Sequence, residues 1–303
     1  MVEQSGIGDG SDKAQMPIRK LCEKIALYLR MIKFSHSVFA LPFALTSAFI
    51  AAGGLPAKRT LFWIVVAMVS ARTTAMGLNR IIDWRIDSAN PRTASREIPA
   101  GRIKVWESAL FVVAAMSVFV LSAYMLNPLC FRLTGVAIFF LFIYSFTKRF
   151  TWASHFVLGI TISAAPVGAW IAVTGVFDPR ILFLGFSVVF WLAGFDILYA
   201  FQDLEFDKGH GLYSIPARFG VAGSLWISRA CHLLTWVLLL LTGISFGMTL
   251  LFYIGVVVTA LLLLYEHSLV RPGDLRKLNK AFFDMNGYIS ITIFLFTAAS
   301  YVL

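Results

Sequence analysis

The sequence predicts an all-α membrane protein, a polytopic bundle of about nine transmembrane helices around a central cavity. Three observations predict it. Of 303 residues, 59% are hydrophobic and 14% are charged, whereas a soluble domain carries about 45–50% apolar and about 25% charged residues. Mean hydropathy is +0.79, so the excess apolar surface needs lipid as a second solvent. The apolar runs are continuous and do not alternate, which favours helices over a closed barrel.

A hydrocarbon core takes roughly 20 apolar residues as helix. Stretches nearly free of charge fall near 34–54, 60–82, 107–126, 131–147, 151–174, 180–202, 224–245, 248–266 and 282–303. The long run from Ala230 to Tyr265 is split in two because Gly243 and Gly247 interrupt it midway. Residues 1–20 are polar, carry Gly6, Gly8, Gly10 and Ser11, and lack an apolar segment. They are expected to form a disordered cytoplasmic tail and not a signal peptide. The whole chain, 1–303, reads as a single transmembrane domain.

Nine spans place alternate loops on opposite sides. Counted that way, 21 Lys and Arg share the side of the N-terminus, and four (Lys58, Arg59, Arg132 and Arg180) take the other. Arg72 lies inside a span. This bias sets the N-terminus in the cytoplasm, as for a bacterial inner-membrane protein. It also accounts for the net charge of +10 without nucleic acid as a partner. The three cysteines, Cys22, Cys130 and Cys231, form no CxxC pair. They suggest neither a disulfide framework nor zinc, and read as small buried hydrophobes.

Only 16 residues are acidic, and six of them fall in two short segments, Gly77–Asp87 and Asp196–Asp207. Asn79, Asp83 and Asp87 are four apart and share a helical face; Asp196, Asp203 and Asp207, seven and four apart, share another. Stacked carboxylates repel each other unless a cation offsets them. Hard oxygen donors without His or Cys suit Mg²⁺, which is typically held by one or two carboxylates plus substrate phosphates. Two acidic faces at one end of a bundle therefore read as a Mg²⁺–diphosphate clamp. Asp196 is the sharpest case, because it lies near the end of an apolar stretch, where a carboxylate is expensive.

Basic residues accompany the acids. Arg30 and Lys33 precede the first span, Arg80, Arg92 and Arg96 flank the first cluster, and Lys148 and Arg149 end the fourth span. Each alone would serve as an inner-leaflet anchor; as a convergent set they suit a diphosphate. Arg72 sits two helical turns deeper than Asn79. It reads either as a clamp for the carboxylate of an acidic acceptor or as a structural pair with another helix. Tyr144, Tyr199 and Trp84 lie near the charged segments in sequence, and their π faces suit a developing carbocation.

These segments resemble the UbiA superfamily of intramembrane aromatic prenyltransferases. Asn79, Asp83 and Asp87 match its NxxxDxxxD motif, and Asp196, Tyr199, Ala200, Asp203 and Asp207 its DxxYAxxDxxxD motif. The Asn79-Arg80 opening, the stretch from Asn90 to Arg96, the run from Tyr144 to Arg149 and Tyr28-Leu29-Arg30 are similar to the 4-hydroxybenzoate branch. The resemblance implies that Asn79, Asp83 and Asp87 hold one Mg²⁺ and that Asp203 and Asp207 hold a second. It implies that Arg30, Arg80, Arg96, Lys148 and Arg149 stabilise a leaving diphosphate, and that Asp196 orients the acceptor or takes its proton. The substrates would be a polyprenyl diphosphate and an aromatic acid in quinone biosynthesis, with the lipid bilayer as the surround and no obligatory protein partner. One departure is Ser35-His36-Ser37, which resembles enzymes assigned to menaquinone made through futalosine, whose acceptor would be a dihydroxynaphthoate. A transporter is the rival of another class, but it would carry its charges near the bilayer midplane.

Overall fold

A computed structural model describes residues 23–33, 40–270 and 285–302. The expected tail, Cys22, the Ser35-His36-Ser37 departure and Arg271, Arg276, Lys277 and Lys280 lie outside the described residues. The described chain is helical: α1 over residues 23–31, then α2 (Leu41–Ala52), α3 (Lys58–Ile82), α4 (Trp84–Ala89), α5 (Val105–Leu126), α6 (Pro128–Thr147), α7 (Ser154–Thr174) and α8 (Ile181–Tyr199). A 3₁₀ turn, Ala200–Asp203, joins α8 to α9 (Leu204–Gly209); α10 (Ile215–Ser245), α11 (Leu250–Leu269) and α12 (Asn286–Val302) follow.

Among the described residues, seven helices are long and apolar enough to cross a membrane. The count of nine spans is not reached by that measure. The segments expected at 34–54 and 282–303 appear as the shorter apolar helices α2 and α12, of 12 and 17 residues. α2 is bounded by the backbone beyond Ala52, where Gly53 takes a left-handed conformation (φ 62°) that caps the helix.

α10 starts earlier than the expected 224. Ser214 caps it by accepting the Ala217 N–H, and Pro216 sits in the first turn, where its missing N–H costs nothing. Gly220 (φ 67°) then kinks the helix, a conformation closed to most side chains. The expected span began only at 224 because spans were placed by freedom from charge, and Arg218 was counted with the loop.

α8 is the central helix, the most buried of the long spans. Trp191, Leu184 and Val188 on it pack with Phe43 of α2 and Phe252 and Val256 of α11 in the main core. It packs closely on α7. A Cβ added to Gly159 would meet the Val189 carbonyl oxygen at 2.6 Å, so only glycine permits this approach. Lipid gives helices no hydrophobic reason to associate, and close backbone contact plus polar ties replace it. Ser47 Oγ donates to the carbonyl of Pro166 within α7 (2.6 Å), and Asn127 Nδ2 to that of Ile171 (2.7 Å).

Candidate active site

The acidic segments fall at one end of the bundle, where α3 gives way to α4 and α8 to its 3₁₀ turn. Asp83 is 1% exposed. It closes α3 and accepts hydrogen bonds from Asn79 Nδ2 (2.9 Å), Lys148 Nζ (2.7 Å) and an Arg149 guanidinium nitrogen (3.0 Å). Lys148 and Arg149 follow directly on α6, so three side chains from two elements converge on one carboxylate. Asp87, one helical turn on, takes Arg96 through both oxygens at 2.7 Å each, with Arg80 3.9 Å away.

Asp203 lies at the end of the 3₁₀ turn. It accepts Arg92 through Nε (2.8 Å) and a second guanidinium nitrogen, and Asn90 Nδ2 at 2.8 Å. The loop after α4 thus spans the two acidic segments. Asn90 and Arg92 reach forward to Asp203, while Arg96 reaches back to Asp87 and remains within electrostatic range of Asp203. Lys148, paired with Asp83, is in the same way within range of Asp207, which bonds Ser214. The two segments therefore face one shared set of cations.

Electrostatics follow from this crowding. Burial pushes the Lys33 ammonium down to about 8, and the guanidiniums of Arg80, Arg96, Arg92 and Arg72 push the same way. Burial works against the charge on Arg92 too, but the hydrogen bond and charge of Asp203 outweigh it and raise its pKa.

The other sequence candidates take varied positions. Arg80 is buried, with Nε on the carbonyl of Met31, so it braces α1 from behind Asp87. Arg30 is exposed and makes no side-chain hydrogen bond or ion pair among the described residues. The Tyr144 hydroxyl donates to the Ala75 carbonyl (2.9 Å), tying α6 to α3. Tyr199 takes a bond from Arg92 (3.2 Å), and its ring faces the cations of Arg92 at 5.5 Å and Lys33 at 6.0 Å. Trp84 is 37% exposed and stacks with its own neighbour Arg85, away from the carboxylates. Arg72 is half-buried within α3, and its Nε is buried without a hydrogen bond among the described residues. Asp196 pairs with His155, Nδ1 to Oδ2 at 2.7 Å.

Sequence reasoning missed two contributors. Asn90 belongs to a quoted stretch but had no role assigned. His155 was not singled out. A histidine within an apolar run was the available signal.

Fold and site together define a polytopic membrane protein whose helices gather carboxylates and cations at one end, an arrangement for handling a polyanion beside a lipid-facing bundle. The sequence profile of the UbiA prenyltransferase family matches residues 40–290. The chain belongs to that family and is a prenyltransferase. It is 32% identical to a 4-hydroxybenzoate octaprenyltransferase of Vibrio campbellii over 80% of this chain and 85% of the other. A UbiA homolog from Aeropyrum pernix K1, solved in apo form, shares its fold with a TM-score of 0.79 and 28% identity over 86% of this chain and 95% of that one. A UbiA homolog from Archaeoglobus fulgidus, solved with DMAPP and Mg²⁺ bound, shares the fold with a TM-score of 0.69 and 18% identity over 91% and 99%.

Proposed function

We propose that the protein transfers a polyprenyl group from a polyprenyl diphosphate to a ring carbon of an aromatic acid of the 4-hydroxybenzoate type, with Mg²⁺, in quinone biosynthesis. The observation that carries this reading is the shared set of cations on Asp83, Asp87 and Asp203. An arriving diphosphate offers those cations a second anion, and the carboxylates they leave become free to take a metal. The relative from Vibrio campbellii supports the acceptor class by its name, and the Archaeoglobus fulgidus homolog supports a diphosphate with Mg²⁺.

The residues fit such a metal. The donors are oxygens of Asn79, Asp83, Asp87, Asp203 and Asp207, with no thiolate or imidazole among them. Among the described residues no three His, Cys, Asp or Glu side chains converge as a ready cage. Phosphate oxygens and water would therefore have to complete the coordination of such a cation. Asn79, Asp83 and Asp87 would hold one ion and Asp203 and Asp207 another; when bound, they neutralise charge growing on the leaving diphosphate. Lys33, Arg92, Arg96, Lys148 and Arg149 stabilise the same charge directly. Arg30 contributes only by a change of side-chain position, and Arg80 acts from behind Asp87.

Arg72 would take the carboxylate of the acceptor, which supplies the anionic partner that its buried Nε lacks. Asp196 orients the acceptor hydroxyl or takes its proton. The Tyr199 face, already opposite two cations, and the Tyr144 ring stabilise the allylic cation. Surrounding helices keep water from quenching it. The charge bias of the loops supports a cytoplasmic placement of this end of the bundle. Ser35-His36-Ser37 favours a second reading in which a dihydroxynaphthoate is the acceptor. Membranes given Mg²⁺, a polyprenyl diphosphate and each acid in turn, with products identified by mass, test both. No prenylated acid with either, or equal yield in excess chelator, would overturn the proposal.

A further inference from the structure

His155 lies in the first turn of α7 and is 4% exposed. Its Nε2 accepts the backbone N–H of Ile215 (3.4 Å), one of the N–H groups that the start of α10 leaves without a helical partner. A nitrogen that accepts carries no proton, so the proton of the neutral ring sits on Nδ1. That nitrogen lies 2.7 Å from Asp196 Oδ2 and donates to it. Two elements thus fix the ring: α7 carries it, and the α10 backbone sets its tautomer. The contact depends on the close passage of α7 on α8. Gly159 is one turn from His155, and Val189, which it touches, is two turns from Asp196 on the same face of α8.

Asp196 is left with one oxygen committed and one open. Among the described residues, Oδ1 has no hydrogen-bond partner, and the side chain is 24% exposed. From this we infer that His155 is a positioning residue: by donating to Oδ2 it fixes the Asp196 carboxylate and turns Oδ1 toward the acceptor hydroxyl. This rests on the reading of Asp196 given above. The acceptor O–H then donates to Oδ1, which localises electron density on the ring without any group having to move at the moment of attack. The ring is not itself required to exchange a proton. A histidine placed here merely to cap α10 would have no bearing on the acceptor.

The purified full chain in detergent, without Mg²⁺ or diphosphate, is titrated with the acceptor acid by calorimetry, and KM for the polyprenyl diphosphate is measured in parallel. His155→Phe is expected to weaken acceptor binding about tenfold or more, the scale of a lost hydrogen bond to a charged group, while KM for the diphosphate stays as in wild type. His155→Asn, whose amide can donate from the Nδ1 position, is expected to recover most of the binding, and His155→Gln is not. Acceptor affinity unchanged in His155→Phe, while Asp196→Asn loses it, overturns the inference alone. Equal loss in His155→Phe and His155→Asn, matched by a fall in melting temperature, also overturns it. If wild type binds neither candidate acid, the acceptor reading itself fails and this inference falls with it.

Discussion

Replacing Asp83 by Asn separates catalysis from architecture at the most crowded carboxylate. The side chain keeps its shape but loses the charge that faces Lys148 at 2.7 Å and Arg149 at 3.0 Å. Breaking a buried ion pair costs about 3–5 kcal/mol when the orphaned charge stays buried. Here the partners are 32% and 35% exposed and can recover water, so the stability loss is expected nearer to about 1–2 kcal/mol. Loss of one preorganised charged group in a reaction centre typically costs about 10²–10³ in turnover, or about 2.7–4 kcal/mol. The effect on rate should therefore exceed the effect on folding. Initial rates at saturating Mg²⁺ and substrates, taken beside thermal unfolding in the same detergent, give both numbers. A folded Asp83→Asn protein with turnover within about threefold of wild type would refute the role assigned to this carboxylate.

Lys33 sets a pH dependence. Its pKa falls from 10.5 to about 8, so it is cationic below about pH 8 and neutral above. Affinity for the polyprenyl diphosphate should fall as pH rises through about 8, and Lys33→Arg should remove that step. The unfolded chain holds the proton up to about 10.5, so this residue makes native stability rise between about pH 8 and 10.5, measurable by unfolding at each pH. Arg72→Met should raise KM for the acceptor at least tenfold with KM for the diphosphate unchanged, since a charge-assisted pair is worth about 1.5–3 kcal/mol; a shift in both constants would speak against the carboxylate clamp. Gly159→Ala would bring a methyl to 2.6 Å from the Val189 carbonyl. Forcing α7 off α8 should cost about 1–3 kcal/mol in detergent unfolding and weaken acceptor binding along with it.

Hydropathy located the long spans because a chain in lipid must stay apolar for a whole crossing. It failed at Ile215–Gly220, because the charge of Arg218 was counted with the loop although the helix runs through it. Parts of the two outermost expected runs, 34–39, 282–284 and 303, lie outside the described residues. Asn79, Asp83, Asp87, Asp203 and Asp207 were singled out by their spacing; the structure brings their segments to one end of the bundle, but a 3₁₀ turn separates Asp203 from Asp196. Their hydrogen-bond partners were not legible one by one, because Asn90 and Arg92 meet Asp203 across 113 and 111 residues of sequence. His155 gave less warning still: its meaning lies in a backbone N–H sixty residues on. Trp84 points the other way, near in sequence yet turned outward.

The 3₁₀ turn at Ala200–Asp203 divides the labour of one helix. In a regular α-helix, residues seven apart lie about 20° from alignment, so Asp196 and Asp203 would look in nearly the same direction. A 3₁₀ stretch advances about 120° per residue where α-helix advances about 100°, and four such residues swing Asp203 well aside. One carboxylate then meets the arginine of a distant loop while the other meets an imidazole. On the reading proposed above, prenyl donor and ring acceptor would be addressed from a single rod, at two bearings.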